Sequence, residues 1–502
     1  MYVKWVDPCD DREATPFTTP PDERPAMITS DRMAAVDENA EAFGVPRKQL
    51  MESSGNAVAR AVRDIADPGA QVAVVAGRGN NGGDAFVAVR FLDDYDVTVH
   101  LLGRPETIST DIARENWDAL EASEYDTRTV TDSKALGLGD PDVVVDAMLG
   151  TGVTGALREP EATAAEAVND LDATVVAVDV PSGVDADTGT AAGVAVDADR
   201  VVTFHDEKPG LASLDAAVTV ADIGIPAAAE LFVGPGDLHH TRRSQSHKGD
   251  HGEVLVVGGG PYTGAPALSA QAALRAGADL VRVACPKSVA REIQGYSENL
   301  IVRPFDGDHL QPSHVDGLTA LAADHDVVVF GPGLGDEDAT LDAVADFLES
   351  YEGTAVVDAD ALQVVPEVDT DATLVCTPHQ GELLKMGGKT ADDWRERTDL
   401  VESFAAELGH VLLVKGAYDI ISDGEVTRVN RTGNPGMTVG GTGDVLAGTT
   451  GALACVRNAR HAAAVGAYAN GRAGDAAVEE NGYGLLATDL VDRLPVALRR
   501  DE

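Results

Sequence analysis

Short valine-rich runs that each exit into glycine or an acid constrain this chain more than any other feature. In the first half they lie at 71–76, 143–146 and 175–179, and lead into GRGNNGGD, MLGTGVTGA and VPSGVD. A second series occupies 252–257, 327–330, 355–357, 373–376 and 411–414. Continuous apolar runs of this length, separated by stretches of helical periodicity, describe strands buried on both faces. Two such series predict two α/β domains, the first a doubly wound parallel sheet, with functional groups gathered where the strands of each series exit. Aromatic residues make up only 4% of the chain against 44% apolar residues, so the cores must be built from Ala, Val and Leu. A Gly/Pro cluster at 234–236, followed by HHTRRS, places the boundary between 236 and 237. Residues 1–26 carry five prolines and no periodicity, and read as an irregular extension. The first domain then spans 27–236, opening on a helix capped by Thr29 or Ser30, and the second spans 237–502.

Charge excludes several functions. Asp and Glu number 84 against 38 Lys and Arg, a net charge of −46, with nine lysines in all. Such a surface repels nucleic acid and anionic membranes, and the scarcity of aromatic rings argues against base stacking. Because the acids are spread rather than blocked, they fit a surface adapted to high salt, as in a halophile. No run approaches 18 apolar residues and MYVKWVDPCDD has no signal core, so a cytoplasmic protein is expected. Cys9, Cys285, Cys376 and Cys455 are far apart and form no CxxC pair, which predicts reduced thiols. His239, His240, His247 and His251 read as a solvated linker, since no Cys or carboxylate completes a ligand spacing.

In the first half, Asn80, Asn81, Asp84, Asp146 and Ser182 supply oxygen donors and turn amides, a set suited to a hard cation; alternatively, Asp146 and Asp179 merely end strands and bond turn amides. The ordered motifs GNNGGDAF, VDAMLGTGVTG and VDVPSGVDADTG resemble the NAD(P)H-hydrate epimerase family over roughly residues 27 to 235, which implies a Rossmann-like fold. LMESSGNAVA is similar to that family's opening helix, with Ser53 and Ser54 departing from it before Gly55. The resemblance implies substrate binding by Asn80, Asn81, Gly82, Gly83 and Asp84, by Gly150, Thr151, Gly152, Val153, Thr154, Gly155 and Ala156, and by Asp179. It also implies a potassium ion at Asn81, Asp146 and Ser182. Asp179 is the candidate acid/base at the hydroxyl-bearing centre of the hydrated ring, a role a strand-end carboxylate beside an apolar ring can fill when its surroundings favour the protonated form.

In the second half, Gly440-Gly441-Thr442-Gly443-Asp444 is a glycine turn opening a helix, with an acid in its first turn. Such a turn aims amides and the positive helix end at an anion, while the carboxylate accepts a hydroxyl proton, as phosphoryl transfer requires. Together with HKGDHGEVLVVGGG, YTGAPALSAQAALRAGADLV, GPGLG, VDADAL, TPHQGE and VKGAYD, GTGDVLAG resembles the ADP-dependent NAD(P)H-hydrate dehydratase family. The resemblance covers about 240 to 500 and implies a ribokinase-like fold; Gly260 departs where that family often has Ser. It implies contacts to the hydrated cofactor from Ala265, Gly333, His379 and Asp444, and to ADP from Lys415, Gly416, Ala417, Tyr418, Asp419 and Gly443. Magnesium is expected for charge neutralisation, with ligands the sequence does not fix. Read alone, His379 is equally a satisfied turn histidine, Lys415 a strand-end surface charge, and TPHQGE a turn into a capped helix.

These resemblances imply a metabolite-repair enzyme in which the first half equilibrates the epimers of hydrated NADH or NADPH. The second half then dehydrates one epimer with ADP, releasing NAD(P)H, AMP and phosphate. A homo-oligomer is the expected assembly. The alternatives are a vitamin or sugar kinase with an accessory Rossmann domain, and a first half that is a non-catalytic scaffold. TPHQGE with GPGLG favours repair over the kinase, and Asn80, Asp84, Asp146 and Asp179 favour a working site over a scaffold.

Overall fold

A computed structural model describes residues 27–238 and 245–500, Val153 excepted. The expected extension at 1–26 with Cys9, the linker histidines His239 and His240, and Val153 of the expected substrate loop lie outside the described residues. The chain forms two compact units that divide between Ala229 and Glu230. Among the described residues no helix is long and apolar enough to cross a membrane.

The first unit contains seven parallel strands: β1 (Gln71–Ala76), β2 (Asp96–Leu102), β3 (Asp126–Val130), β4 (Val143–Ala147), β5 (Thr174–Val178), β6 (Arg200–Phe204) and β7 (Ala217–Ala221). Their order is β3-β2-β1-β4-β5-β6-β7. Each valine run is a strand covered by helices on both faces. Helices Ser30–Ala42, Arg47–Arg63, Asn80–Arg90 and Asp111–Ala122 pack on one face, and Glu161–Asn169 on the other. Thr29 caps the first helix by accepting from the Arg32 amide. Gly55 lets Arg47–Arg63 lie on Asn80–Arg90, for a Cβ there would come within 2.4 Å of the Val87 Cβ. The Ser54 departure is absorbed locally, its hydroxyl donating to Leu50 O at 3.0 Å.

The strand order reverses between β1 and β4, so the loops leaving these two strands open a crevice at the sheet's carboxyl edge. Here glycine is required by close approach. A Cβ on Gly77 would lie 1.8 Å from Met148 O, and one on Gly82 would lie 2.2 Å from Gly77 O.

The second unit has nine strands: β8 (Glu253–Val257), β9 (Leu280–Pro286), β10 (Ile301–Phe305), β11 (Val327–Phe330), β12 (Thr354–Val357), β13 (Thr373–Cys376), β14 (Val411–Val414), β15 (Asp419–Ser422) and β16 (Thr427–Asn430). Their order is β10-β9-β8-β11-β12-β13-β14-β15-β16, parallel except for the two pairings β14/β15 and β15/β16. The sheet is therefore mixed, and its order reverses between β8 and β11. The turns leaving those strands interlock: Gly259 N donates to Pro332 O at 2.9 Å, and a Cβ on Gly333 would lie 2.3 Å from Tyr262 O.

The strip 230–238 packs with this second unit. Val233 N donates to Val429 O, and Asp237 holds the Arg428 guanidinium at 2.9 Å. Most of that strip was expected to close the first domain. A buried ion pair to β16 ties it to the second instead.

Candidate active sites

In the first unit, helix Asn80–Arg90 starts directly after the β1 turn, with Gly79 as its N-cap, so its first amides face the crevice edge. Asn80 Oδ1 accepts from Thr110 Oγ1 at 2.8 Å. Asn81 lies beside Gly150, and its Nδ2 is buried with no partner, a donor left for something outside the chain. Gly152 and residues 154–156 are exposed.

Asp146, the penultimate residue of β4, is fully buried. Its carboxylate accepts from the Ser182 amide at 2.8 Å, the Ser182 hydroxyl at 2.7 Å and the Met148 amide at 3.2 Å. Burial nevertheless pushes it up to about 6, against the pull of those bonds. It does bond turn amides, as the plainer reading of the sequence has it. A buried carboxylate served only by amides and a hydroxyl also lacks a counter-charge. The oxygens of Asp146 and Ser182, and the side-chain oxygen of Asn81, are of the type a monovalent hard cation takes.

Asp179 follows β5 at φ +65°, a left-handed conformation that turns the chain sharply at the sheet edge. Its carboxylate accepts from Thr203 Oγ1 at 3.1 Å and lies 3.0 Å from Lys208 Nζ. Lys208 has no exposed surface, and its ammonium also donates to Phe204 O at 2.8 Å and Asp206 O at 3.3 Å. Two more carboxyls, one buried and one partly exposed, feel Asp179. Asp84 is raised well above the usual range by burial, then by Asp179 and Asp37. Asp37 is pushed up to about 6 by burial, with Arg47 opposing and Asp179 adding to it.

In the second unit, Gly441 (φ +98°) is the N-cap of helix Thr442–Ala454, placing Asp444 in the first turn. The helix is fixed from behind. Ser269 Oγ donates to Asp444 O at 2.8 Å, and a Cβ on Gly448 would lie 1.9 Å from Ser269 O. Ala265 opens the same helix as Ser269, and its Cβ would lie 3.3 Å from one built on Gly333.

Lys415 ends β14 and is no surface charge. Its Nζ is 2.9 Å from Asp358 Oδ1 and 3.8 Å from Glu382 Oε2, and would lie 3.3 Å from a Cβ on Gly443. Burial alone would lower its pKa, but Asp358 and Glu382 outweigh that and raise it. Thr377 Oγ1 donates to the same Asp358 oxygen at 2.8 Å. Asp444 is pushed up to about 7 by burial and by Asp358, with Lys415 pulling the other way.

His379 caps helix Gln380–Lys385: its Nδ1 accepts from the Glu382 amide while Glu382 accepts from the His379 amide. The capped-turn reading is therefore true, and it leaves Nε2 at an exposed ring edge. The 415–419 segment forms a tight turn in which Gly416 N donates to Asp419 Oδ1 at 2.9 Å. Asp419 is pushed up to about 6 by burial, against its hydrogen bonds and the nearby Lys415 and Arg397. The Tyr418 ring stacks on Trp394, centroids 4.9 Å apart. Ala417 and Gly416 are exposed beside it.

The family described as NAD(P)H-hydrate dehydratase matches residues 254–496, and the family described as YjeF-related protein N-terminus matches 47–210. The bifunctional NAD(P)H-hydrate repair enzyme Nnr of Methanothermobacter thermautotrophicus is 45% identical over 487 residues, 92% of this chain and 93% of that one. Its counterpart in Pyrobaculum aerophilum is 46% identical over 495 residues, 94% of this chain and 98% of that one. This chain belongs to the bifunctional NAD(P)H-hydrate repair enzyme family. Among solved structures, an ADP/ATP-dependent NAD(P)H-hydrate dehydratase from Bacillus subtilis, co-crystallized with ATP and Mg2+, is 26% identical with a TM-score of 0.47. That match covers 53% of this chain and 97% of the other.

For a member of this family, each unit brings most of its expected residues to one sheet edge, around groups that sequence reasoning passed over. Lys208, Thr203 and Asp37 join Asp179 and Asp84 in the first unit. Asp358 and Glu382 hold Lys415 in the second, with Thr377 bonded to Asp358. Two signals pointed to them. Lys208 is one of only nine lysines and stands just past a strand end, and Asp358 lies in VDADAL at the same edge as the other strand-end motifs.

Proposed function

We propose that the protein repairs hydrated NADH and NADPH, its first unit interconverting the two epimers and its second dehydrating one of them with ADP. The single observation that carries this reading is the pair of carboxyl-edge sites on one chain whose relatives share both halves over almost their whole length. The kinase alternative gains no support from those relatives.

In the second unit the proposed roles follow from position. ADP lies along 415–419 with its phosphates over the amides at 441–443, and the hydrated ring is held by Ala265, Gly333 and His379. Asp444 takes the proton of the ring hydroxyl as the β-phosphoryl passes to that oxygen and AMP departs. A carboxylate with a pKa near 7 is well matched to this task. Lys415 stabilises the phosphoryl charge as it moves. The ring nitrogen then pushes out phosphate, and the neighbouring ring carbon loses a proton to restore the dihydropyridine. Magnesium would neutralise phosphate charge, with Asp358 and Glu382 as the hard oxygen donors beside the cradle.

In the first unit the proposed substrate contacts are Asn80 to Asp84, Gly150 to Ala156, and Asp179. Asp146, Ser182 and Asn81 would hold potassium, which supplies a fixed positive charge at the crevice floor. Asp179 works as acid/base at the hydroxyl-bearing carbon. Loss and return of water on opposite faces of that carbon exchanges the epimers.

The test mixes purified protein with hydrated NADH and ADP in molar salt and follows the dihydronicotinamide absorbance. Full recovery of NADH from a mixture of epimers is expected. No recovery, with phosphorylation of a sugar or vitamin alcohol instead, would sink the reading.

A further inference from the structure

The first unit holds a lysine that the sequence motifs do not include. Lys208 Nζ sits 3.0 Å from Asp179 Oδ1, is closed off from solvent, and is fixed from behind by the carbonyls of Phe204 and Asp206. A fully buried ammonium bonded to two carbonyls and one carboxylate has little freedom to be anywhere else. Around it stand Asp37 from helix Ser30–Ala42, Asp84 from helix Asn80–Arg90 and His205 after β6, with Arg47 beyond Asp37. Asp179 and Asp37 thus both feel this ammonium, and Asp84 feels those two carboxyls. They cannot all be ionised in such a place, and the geometry gives the ammonium to Asp179.

We propose that Lys208 is the positioning residue of the epimerase site, holding Asp179 as the carboxylate that accepts a proton. The inference rests on the reading of this unit as an epimerase. In one direction, the ring hydroxyl takes a proton delivered from solvent, the C–O bond breaks, water leaves, and the nitrogen lone pair forms the C=N bond. Water then adds to the opposite face and gives its extra proton to Asp179. The atoms balance: one water leaves, one adds, and Asp179 returns to solvent the proton it accepted. Lys208 touches no reacting atom. It decides which carboxyl begins as base, because removing it leaves Asp179 among like charges and raises its affinity for a proton.

The experiment measures epimerisation of the isolated R hydrate across pH, with excess wild-type dehydratase activity drawing off the S hydrate. For Lys208→Met we expect kcat to fall about 10²-fold with KM little changed, and the acid limb of kcat to move up by about one pH unit. Lys208→Arg should restore the limb toward its original place. Lys208→Met with unshifted limb and kcat, alongside an inactive Asp179→Asn, would overturn the role of the lysine alone. Asp179→Asn that epimerises like wild type would overturn the site reading and this inference together. Where Lys208→Met lowers the unfolding temperature, the pair Lys208→Met and Asp179→Asn, which buries no lone charge, keeps the test open. That double variant should be no slower than Asp179→Asn alone, since the lysine acts through that carboxylate, and a further loss would overturn the proposal.

Discussion

Asp444, the proposed base of the second unit, shows how position changes the behaviour of a common helix feature. A first-turn acid ordinarily enjoys the helix dipole and stays ionised well below neutrality. Here burial and the facing Asp358 push it up to about 7, and Lys415 limits the rise. Because the base works only when ionised, dehydration of the S hydrate should fall as pH drops through about 7. The expected measurement is a kcat/KM profile whose acid limb lies near 7; a limb near 4 would remove the role of burial. Asp444→Asn should lower kcat by roughly 10²–10⁴-fold with little change in ADP binding. Since Lys415 pulls the Asp444 value down, Lys415→Met should move the limb of its residual activity to higher pH, a direction that simple loss of ADP affinity does not produce. The sequence made Asp444 legible because glycine turns announce helix starts. It did not disclose Asp358 or Lys208 as partners, because each lies distant in sequence from the carboxylate it serves and reaches it only when strands of one sheet align.

At the scale of elements, both sites depend on glycines where two backbones nearly touch. Gly82 permits helix Asn80–Arg90 to begin against the β1 turn, with Gly77 O only 2.2 Å from the place of a Cβ. Gly82→Ala should therefore displace the Asn80–Asp84 amides, abolishing epimerisation while the same preparation still dehydrates pure S hydrate. Equal loss of both activities would point to global unfolding instead. Gly448→Ala meets Ser269 O at 1.9 Å and must push helix Thr442–Ala454 off helix Gly264–Ala276. Overpacking of this kind costs about 1–3 kcal/mol. It should show as a lower unfolding midpoint of the second unit, together with a loss of dehydratase kcat.

Legibility at this scale followed burial. The central strands β1, β4, β5, β8, β11, β12, β13 and β14 are near-continuous apolar runs and were readable as strands. The outer strands were not. Asp96–Leu102, Asp126–Val130 and Ile301–Phe305 carry charges, threonines or a proline, because strands at or near a sheet's edge face water on more of their surface, and Pro304 is tolerated at the edge position of β10. The antiparallel tail β15–β16 escaped because its strands are only four residues long and mix polar with apolar residues, and with it the mixed character of the second sheet.

For the whole molecule the governing quantity is −46 of net charge spread over the surface. Self-repulsion at that density opposes the compact state, and salt relieves it as the screening length falls from about 10 Å at 0.1 M to about 3 Å at 1 M. The unfolding temperature should accordingly climb with KCl, NaCl and tetramethylammonium chloride alike, and flat curves would remove the reading of a salt-adapted surface. Any excess effect of potassium is separable from this screening by its pH dependence. Asp146 is raised from 3.8 to about 6, so below the lower value both folded and unfolded states hold the proton and its burial costs nothing extra. Between the two values the folded state keeps a proton the unfolded state has lost. Above 6 the buried carboxylate is ionised and its cost, about 3 kcal/mol, is complete. The proposed potassium ion at Asn81, Asp146 and Ser182 would offset that cost only where it exists. Stabilisation by potassium beyond that by tetramethylammonium at equal ionic strength should then be small at pH 4, grow through pH 6 and level off above it. Asp146→Asn should remove both the excess and its pH dependence while leaving the general salt effect intact. An excess that persists unchanged in Asp146→Asn would place the ion elsewhere.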